Sequence, residues 1–354
     1  MTSATDWLDS LSPWPRDGFG LDRMRALLVE LGDPQRAYPA VHVVGTNGKS
    51  TATIAIEQLL LSDGLSVGAT ISPHVESWSE RIRVDGSEVD LDEAIARVRP
   101  AAERLDATQF EIVTAAALAA FADFGVDVAV VEAGLGGRLD ATNVLRTRVV
   151  LLTNVALEHT DVLGDTVEEI AREKLAVAPE DCVVVLPDET YALLVPGREI
   201  RIGGAREAAE AFAGHPIDAD PEVALPGRLE RREGEVRDGA HNPHGVRYLV
   251  ERLAPGSYTL VVSILGDKDA DEMLRELRRL GSRLVATTSS STRALSAGAV
   301  AELARPHFDH VEAVEDPAHA VARAHELGEP VLVTGSLYLL GDVSEGERRA
   351  AWRG

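Results

Sequence analysis

Cysteine is almost absent from this 354-residue chain: Cys182 is the only one, so no disulfide can form within it. Without a cysteine framework nothing points to an oxidising compartment, and the neighbouring Val183-Val-Val185 marks Cys182 as a core residue. Aromatic residues make up 4% of the chain against 45% hydrophobic residues overall. The core must therefore be built chiefly of Ala, Val and Leu, as it is between parallel strands and helices. No apolar run approaches bilayer-spanning length. The opening Met1-Thr-Ser-Ala-Thr-Asp-Trp-Leu8 has neither a basic segment nor an apolar stretch, so no secretory leader and a cytoplasmic location are expected. Basic residues are also scarce, 35 against 58 acidic ones, for a net charge of −23. That balance argues against binding duplex nucleic acid, which depends on neutralising phosphates. It describes a solvated, self-repelling surface and leaves room for a nucleotide site where a few cations and a metal act locally.

What the chain does have is a β-branched run, Val41-His-Val-Val44, that stops at Gly45 and passes through Thr46, Asn47, Gly48, Lys49, Ser50 and Thr51 into the apolar Ala52–Leu61 segment. Strand, glycine turn and helix start together form an anion cradle. Backbone N–H groups and the helix dipole favour phosphate, Lys49 adds a point charge, and Ser50 or Thr51 can face magnesium. The strict phosphate-loop pattern needs glycine at position 43, where valine stands, so the loop is a shortened one.

Strands and helices alternate on both sides of this point. A glycine loop (Asp17 to Gly20) feeds an amphipathic helix that stops at Gly32. Strands are predicted at 65–71, 126–131, 149–153 and 183–186, with a hairpin around Asp85-Gly86. Helices are predicted at 90–99, 110–124, where the segment is apolar nearly all round and so buried, and 166–178. From 188 to 224 the pattern loosens, with Pro196-Gly197, Gly203-Gly204, Pro216 and a short helix at 206–213. A second α/β pattern follows, beginning with a helix capped by Asn242-Pro243. The length suits two domains, assigned as 1–187 and 225–354 with 188–224 as the boundary region. The fold class is α/β: a P-loop-type, doubly wound, mostly parallel sheet domain and a smaller Rossmann-like α/β C-terminal domain. Such sheets bind ligands at the carboxyl ends of their strands.

Several residues at those ends invite chemistry. Glu132 closes a strand of Val and Ala. A carboxylate there meets a cation or metal if buried, and is an ordinary surface group if not. Taken alone, His159 reads as a loop histidine, and Lys174, in Glu168-Glu-Ile-Ala-Arg-Glu-Lys174, as a helix-surface ion-pair partner. Gly134-Leu-Gly136-Gly137-Arg138 is glycine-rich without the dinucleotide fingerprint, which argues against a dehydrogenase. His241 and His244 flank Asn242-Pro243, which is more simply a helix cap than a metal pair.

Taken in order, these segments resemble the folylpolyglutamate synthase and dihydrofolate synthase family, a branch of the Mur-ligase-like, ATP-dependent amide ligases. The resemblance rests on Gly45–Thr51, Ser72-Pro-His74, Glu132–Asn143, Leu157-Glu-His-Thr160, Ala171-Arg-Glu-Lys174, Leu225-Pro-Gly-Arg228, Asp238-Gly-Ala-His-Asn-Pro-His244, Gly266–Asp269, Thr292–Ser296 and Thr334-Gly-Ser336. It implies an ATPase domain and a smaller C-terminal domain with catalysis between them. The chain would be a cytoplasmic monomer using ATP and two Mg2+ ions to join L-glutamate to a folate-type carboxylate through an acyl phosphate.

Carried over residue by residue, Gly45, Thr46, Asn47, Gly48, Lys49, Ser50 and Thr51 would bind the ATP phosphates, with Arg228 and Asp238 as further ATP contacts. Ser72, Glu132, His159 and Lys174 would hold metal, Lys174 as a carbamate formed with CO2. Lys49, Lys174 and His159 would be the catalytic set. Phe19, Gly20, Leu21, Thr108, Gln109, Phe110, Glu111, Leu139, Asp140 and Ala141 would line the pterin side. Two departures stand out. The family commonly has an ATP-contacting asparagine at a helix start in the boundary region, where this chain has Gly204-Ala205-Arg206. Glu158 stands where aspartate is usual. A cell-wall Mur ligase, and a nucleotide-binding protein of the same fold without ligase activity, are the competing readings.

Overall fold

The computed structural model describes residues 3–13, 15 and 18–351; Met1, Thr2 and Asp17, used in the readings above, lie outside them. The chain divides after Val223 into two compact units. In the first, the chain runs α1 (Ala4–Asp9), α2 (Asp22–Glu30), β1 (Ala40–Val44), α3 (Lys49–Ser62), β2 (Val67–Thr70), β3 (Ile82–Val84), β4 (Ser87–Glu88), α4 (Leu91–Leu105), α5 (Gln109–Phe124), β5 (Val128–Glu132), β6 (Thr147–Leu152), α6 (Thr160–Leu163), α7 (Val167–Leu175), β7 (Val183–Leu186), β8 (Glu199–Ile202) and α8 (Ala205–Ala213). Its eight strands form one sheet in the order β4-β3-β2-β5-β1-β6-β7-β8. The strands from β2 to β8 in that order pair in parallel, whereas β3 pairs antiparallel with both β2 and β4. Among the described residues no helix is long and apolar enough to cross a membrane.

The side-chain alternation of β1 sorts the core into layers. Val41 and Val43 face α3 and α8, packing with Ile56, Leu59, Leu60, Ala208 and Phe212. Ala40 and Val44 belong to the clusters on the other face, built from α5 and α7. Buried Val43 thus fills a strand position where the longer phosphate loop would have its first glycine. The buried run of α5, Glu111 through Phe121, matches its all-round apolar sequence. α4 runs on to Leu105 through Pro100, beyond its expected end. Its buried stripe (Ala94, Ile95, Val98, Ala101, Ala102) continues across the proline, and that packing offsets the missing N–H. Of the stretch 188–224, expected as a boundary, all but Ala224 is built into the first unit. β8 extends the sheet beside β7, α8 packs Ala208, Ala209 and Phe212 into the α3 layer, and Arg206 donates to the carbonyls of Ile217 (2.7 Å) and Ala219 (2.5 Å).

The second unit runs β9 (Glu230–Arg232), β10 (Glu235–Arg237), α9 (Pro243–Val250), β11 (Thr259–Val262), α10 (Ala270–Leu277), β12 (Arg283–Ala286), α11 (Ala297–Ala304), β13 (His310–Ala313), α12 (Pro317–Leu327), β14 (Val331–Thr334) and α13 (Leu337–Ala351). Its sheet, β13-β12-β11-β14-β10-β9, is parallel apart from β9. Asn242 caps α9 through Gly245 N (2.7 Å), as the Asn-Pro pair suggests.

Candidate active site

Register alone gathers the first unit's polar loops. β1 lies between β5 and β6, with Val43 beside Glu132 and Val44 beside Leu152. The chain therefore leaves the sheet at Gly45, Ala133 and Thr153 side by side. Gly45 has φ +150, and a Cβ there would lie 1.9 Å from Thr153 Oγ1, so no other residue fits. The β6 loop then clamps the phosphate loop. Thr46 N donates to Asn154 O (3.0 Å), Asn47 N to Asn154 Oδ1 (3.0 Å), and Asn154 Nδ2 and Thr153 Oγ1 both donate to Asn47 O (2.8 Å each). These bonds commit the Thr46 and Asn47 amides to the protein. Anion binding falls to the first turn of α3, from Gly48 (φ +78) through Lys49, Ser50 and Thr51, whose N–H groups have no intrahelical acceptors.

Lys49 Nζ lies 3.4 Å from Thr46 O and 3.9 Å from Glu132 Oε1. Glu132 is 3% exposed, which settles it as a buried carboxylate, and its Oε2 accepts from Ser72 N at 3.0 Å. Lys174 is also buried, not a surface ion-pair residue, and its Nζ donates to Gly45 O at 2.8 Å. Burial and the nearby Lys49 charge push its pKa down to about 7, against the opposing pull of Glu158, Asp140 and Glu173. An amine that is half neutral at physiological pH is a nucleophile as well as a donor. His159 is exposed at the head of α6, in the left-handed region (φ +51), beside the Glu158 whose charge acts on Lys174. The structure thus brings Gly45, Lys49, Ser72, Glu132 and Lys174 together. Among the described residues no three His, Cys, Asp or Glu side chains converge as a metal cage.

The 133–143 loop leans on the end of α7. Arg138 N donates to Glu173 O (3.2 Å) and Arg138 Nε to Glu173 Oε2 (2.9 Å). At Gly137 an added Cβ would meet Lys174 O at 2.5 Å and Glu173 O at 2.7 Å, both backbone atoms that cannot swing aside. Gly137→Ala is expected to lower stability by about 1–3 kcal/mol through overpacking and to pull Lys174 off Gly45 O. Thermal unfolding and turnover of the same preparation check it; an unchanged melting temperature would show that the loop sits farther from α7.

The residues expected on the pterin side are divided in their use. The Phe110 ring covers Gly134, where a Cβ would lie 2.5 Å from the ring, so the start of α5 abuts the Glu132 loop. Thr108 and Glu111 cap α5 together, and Glu111 also takes the Arg23 guanidinium at 2.8 Å. Gln109 Nε2 donates to Leu8 O at 2.7 Å. These three side chains hold α1, α2 and α5 in place. Leu21 caps α2 and is buried, whereas Phe19 and Leu139 are exposed. Asp140 is interior: its carboxylate accepts from Leu135 N (2.7 Å), Thr142 N (3.0 Å) and the Thr142 hydroxyl. Burial raises its pKa, while the Lys49 charge and these bonds oppose the rise. The Thr142 hydroxyl also meets His42 Nε2 at 2.8 Å.

Sequence reading missed Asn154, Thr142 and His42. A histidine inside a valine strand was the available signal for the last, and the register of neighbouring parallel strands would have found Asn154.

In the second unit, Asp238 accepts from Leu229 N (2.8 Å) and Ala240 N (2.9 Å). Burial raises its pKa against those bonds and the charge of Arg228. Arg228 lies against Gly239, where a Cβ would be 2.8 Å from its Nη1. Arg228 and Asp238 thus form one tight corner at the start of the unit. Gly204, at the helix start where the family commonly has asparagine, is occupied by Glu207, which accepts from Gly204 N at 2.6 Å.

Comparison with known proteins gives a consistent result. Residues 43–195 match the Mur ligase middle domain, and residues 227–337 match the Mur ligase glutamate ligase domain. The dihydrofolate synthase/folylpolyglutamate synthase of Mycobacterium tuberculosis is 32% identical, over 90% of this chain and 85% of the relative. Escherichia coli FolC in complex with DHPP and ADP superposes with a TM-score of 0.89 at 26% identity, covering 100% of this chain and 99% of that one. The bifunctional Yersinia pestis folylpolyglutamate synthase/dihydrofolate synthase with Mn, AMPPNP and L-glutamate bound gives 0.85 at 28% identity, covering 98% of each chain.

Proposed function

The chain belongs to the dihydrofolate synthase/folylpolyglutamate synthase family of Mur-type ligases, and from that premise we propose that it joins L-glutamate to the carboxylate of a folate-type substrate in an ATP-dependent reaction. The observation that carries this reading is the meeting of Lys49, Glu132 and Lys174 at the mouth of the phosphate loop. A carboxylate is a poor electrophile and must be activated. The substrate carboxylate attacks the γ-phosphorus of ATP, the bond to ADP breaks, and an acyl phosphate forms. The amine of L-glutamate then attacks the acyl carbon, phosphate leaves and the amine loses a proton. Two anions approach each other in the first step, so its barrier is largely electrostatic. Lys49 offsets that charge, and the amides of the first turn of α3 hold the phosphates in line.

The donor set suits a Mg2+-type ion, which binds through one or two carboxylates and substrate phosphates rather than an all-protein cage. Glu132 would supply the carboxylate, Ser72 and Ser50 would supply hydroxyls, a Lys174 carbamate would supply a second anionic ligand, and His159 is assigned as a further ligand. When bound, the ion adds Lewis-acid polarisation of the phosphoryl oxygens. Leu139, Ala141, Phe110 and the Phe19–Leu21 loop are assigned to the pterin side, and Arg228 and Asp238 to the nucleotide. A cytoplasmic monomer is the proposed state, and the one cysteine, Cys182, is a free, buried thiol. The test is product mass after incubation with ATP, glutamate and either dihydropteroate or tetrahydrofolate. A gain of one glutamate on either substrate, with phosphate release requiring both partners, is expected. Phosphate release indifferent to both would leave a nucleotide-binding protein that has lost ligation.

A further inference from the structure

We infer that His42 is a positioning residue for the folate side of the site: its Nε2–H, acting through Thr142 and Asp140, fixes the Leu139–Ala141 segment relative to the phosphate loop. This rests on the assignment of that segment to the folate side. His42 is fully buried within β1, and Nε2 meets Thr142 Oγ1 at 2.8 Å. The direction of the bond follows from counting protons. A hydroxyl has one, and both Asp140 oxygens already accept backbone N–H groups, Oδ1 from Thr142 and Oδ2 from Leu135. The Thr142 hydroxyl therefore donates to Asp140, whose Oδ1 also accepts Thr142 N at 3.0 Å, and its lone pair must accept from His42. A neutral imidazole carries a single N–H, so Nδ1 carries none, and Nδ1 is indeed buried without a hydrogen-bond partner. A protonated ring would leave a second donor stranded there.

The consequence is geometric. Gly45 begins the phosphate loop three residues after His42 on the same strand, while Asp140 is tied back to Leu135 N at 2.7 Å and, through its own N–H, to Gly137 O at 3.1 Å. One rigid strand thus sets the position of the loop that holds phosphate and, through His42, of the loop assigned to the acyl donor. Its central placement in the sheet suits it to that role, because reacting atoms displaced by a fraction of an ångström lose rate. His42 Nε2 thereby links the core strand β1 to the 133–143 loop.

The test uses the full-length protein and four substitutions. Thr142→Val and His42→Leu are expected to raise KM for dihydropteroate about tenfold, the size of one lost buried hydrogen bond, with KM for ATP unchanged. Thr142→Ser and His42→Gln, which restore hydroxyl and donor, are expected to recover most of that loss. Equal losses for both substrates, or no recovery with serine and glutamine, would reduce His42 to ordinary packing and overturn the proposal. His42→Leu risks misfolding, so Thr142→Val, nearly the same shape, decides in that case. A second arm needs no activity: in 15N-histidine-labelled protein, the ring resonance lost in His42→Gln should show the proton on Nε2. A proton on Nδ1 would overturn the inference. If the parent enzyme fails to ligate while this tautomer is found, the assigned activity falls and the His42–Thr142–Asp140 arrangement stands.

Discussion

Lys49→Met is expected to fold normally and to lose about 100- to 1000-fold in kcat, the usual effect of removing one preorganised donor from a developing anionic centre. Lys49 is mostly buried, and two features make its charge hard to replace. Its Nζ is held at 3.4 Å by Thr46 O, in a loop whose own shape is fixed by Asn154. It is also 3.9 Å from the buried Glu132 carboxylate, so its loss removes a cation that faces that carboxylate. The same substitution acts on a second group. Lys49 is one of the two influences that lower the Lys174 pKa to about 7, so removing it lets that pKa rise. At neutral pH Lys174 then stays more protonated and less nucleophilic. Lys49→Arg should not restore turnover, because a planar fork does not reproduce a compact ammonium at this distance. Steady-state ADP release beside a melting curve checks both claims, and a kcat equal to the parent's would remove Lys49 from the phosphate site.

How much of this was legible in the sequence depends on the physical range of each signal. Element types were legible where apolar periodicity was strong: α5 is buried all round as its composition requires, and the phosphate loop lies at a strand end as its glycines require. The helix α8 was legible as a short helix at 206–213, but β8 was not, because an edge strand of Glu199-Ile-Arg-Ile202 looks like a polar linker until β7 pairs with it. Lys174 was ambiguous for a related reason. A helix position gives no information on what lies above it; the close approach of Gly137 to the Glu173 and Lys174 carbonyls, with the Arg138 N–Glu173 O bond, shows that a loop covers that turn. The family resemblance supplied the metal role, while the structure supplied burial, the Gly45 contact and the depressed pKa. Asp140 went the other way: named among pterin-side residues, it turns its carboxylate inward to three donors. Motif matching locates a segment and leaves open which of its atoms face the ligand.

Lys174→Ala is the second substitution with a large expected effect, a loss of about 100-fold or more in kcat, and its pH behaviour separates the carbamate from a plain hydrogen bond. In the folded protein the amine titrates near 7, against 10.5 for an ordinary lysine. CO2 adds only to the neutral amine, releasing a proton and leaving a carbamate with one negative charge and two oxygens. Carbamylation should therefore increase as pH rises through 7, and 13C-bicarbonate should label the parent and not Lys174→Ala. A small free carboxylate such as acetate should restore part of the activity of Lys174→Ala by occupying the vacated volume.

The linkage sign gives an independent check in CO2-free buffer. Between about pH 7 and 10.5 the unfolded chain holds a proton at Lys174 that the native state has lost, so parent stability should rise with pH across that window and gain nothing from this residue below it. Lys174→Met lacks the increment, so its stability relative to the parent should fall as pH increases from 7 to 9. A difference that stays flat over that range would mean the amine remains charged in the folded state. The Gly45 O contact would then be an ammonium hydrogen bond alone, and the loss of turnover in Lys174→Ala would reflect a collapsed phosphate loop instead of a missing ligand.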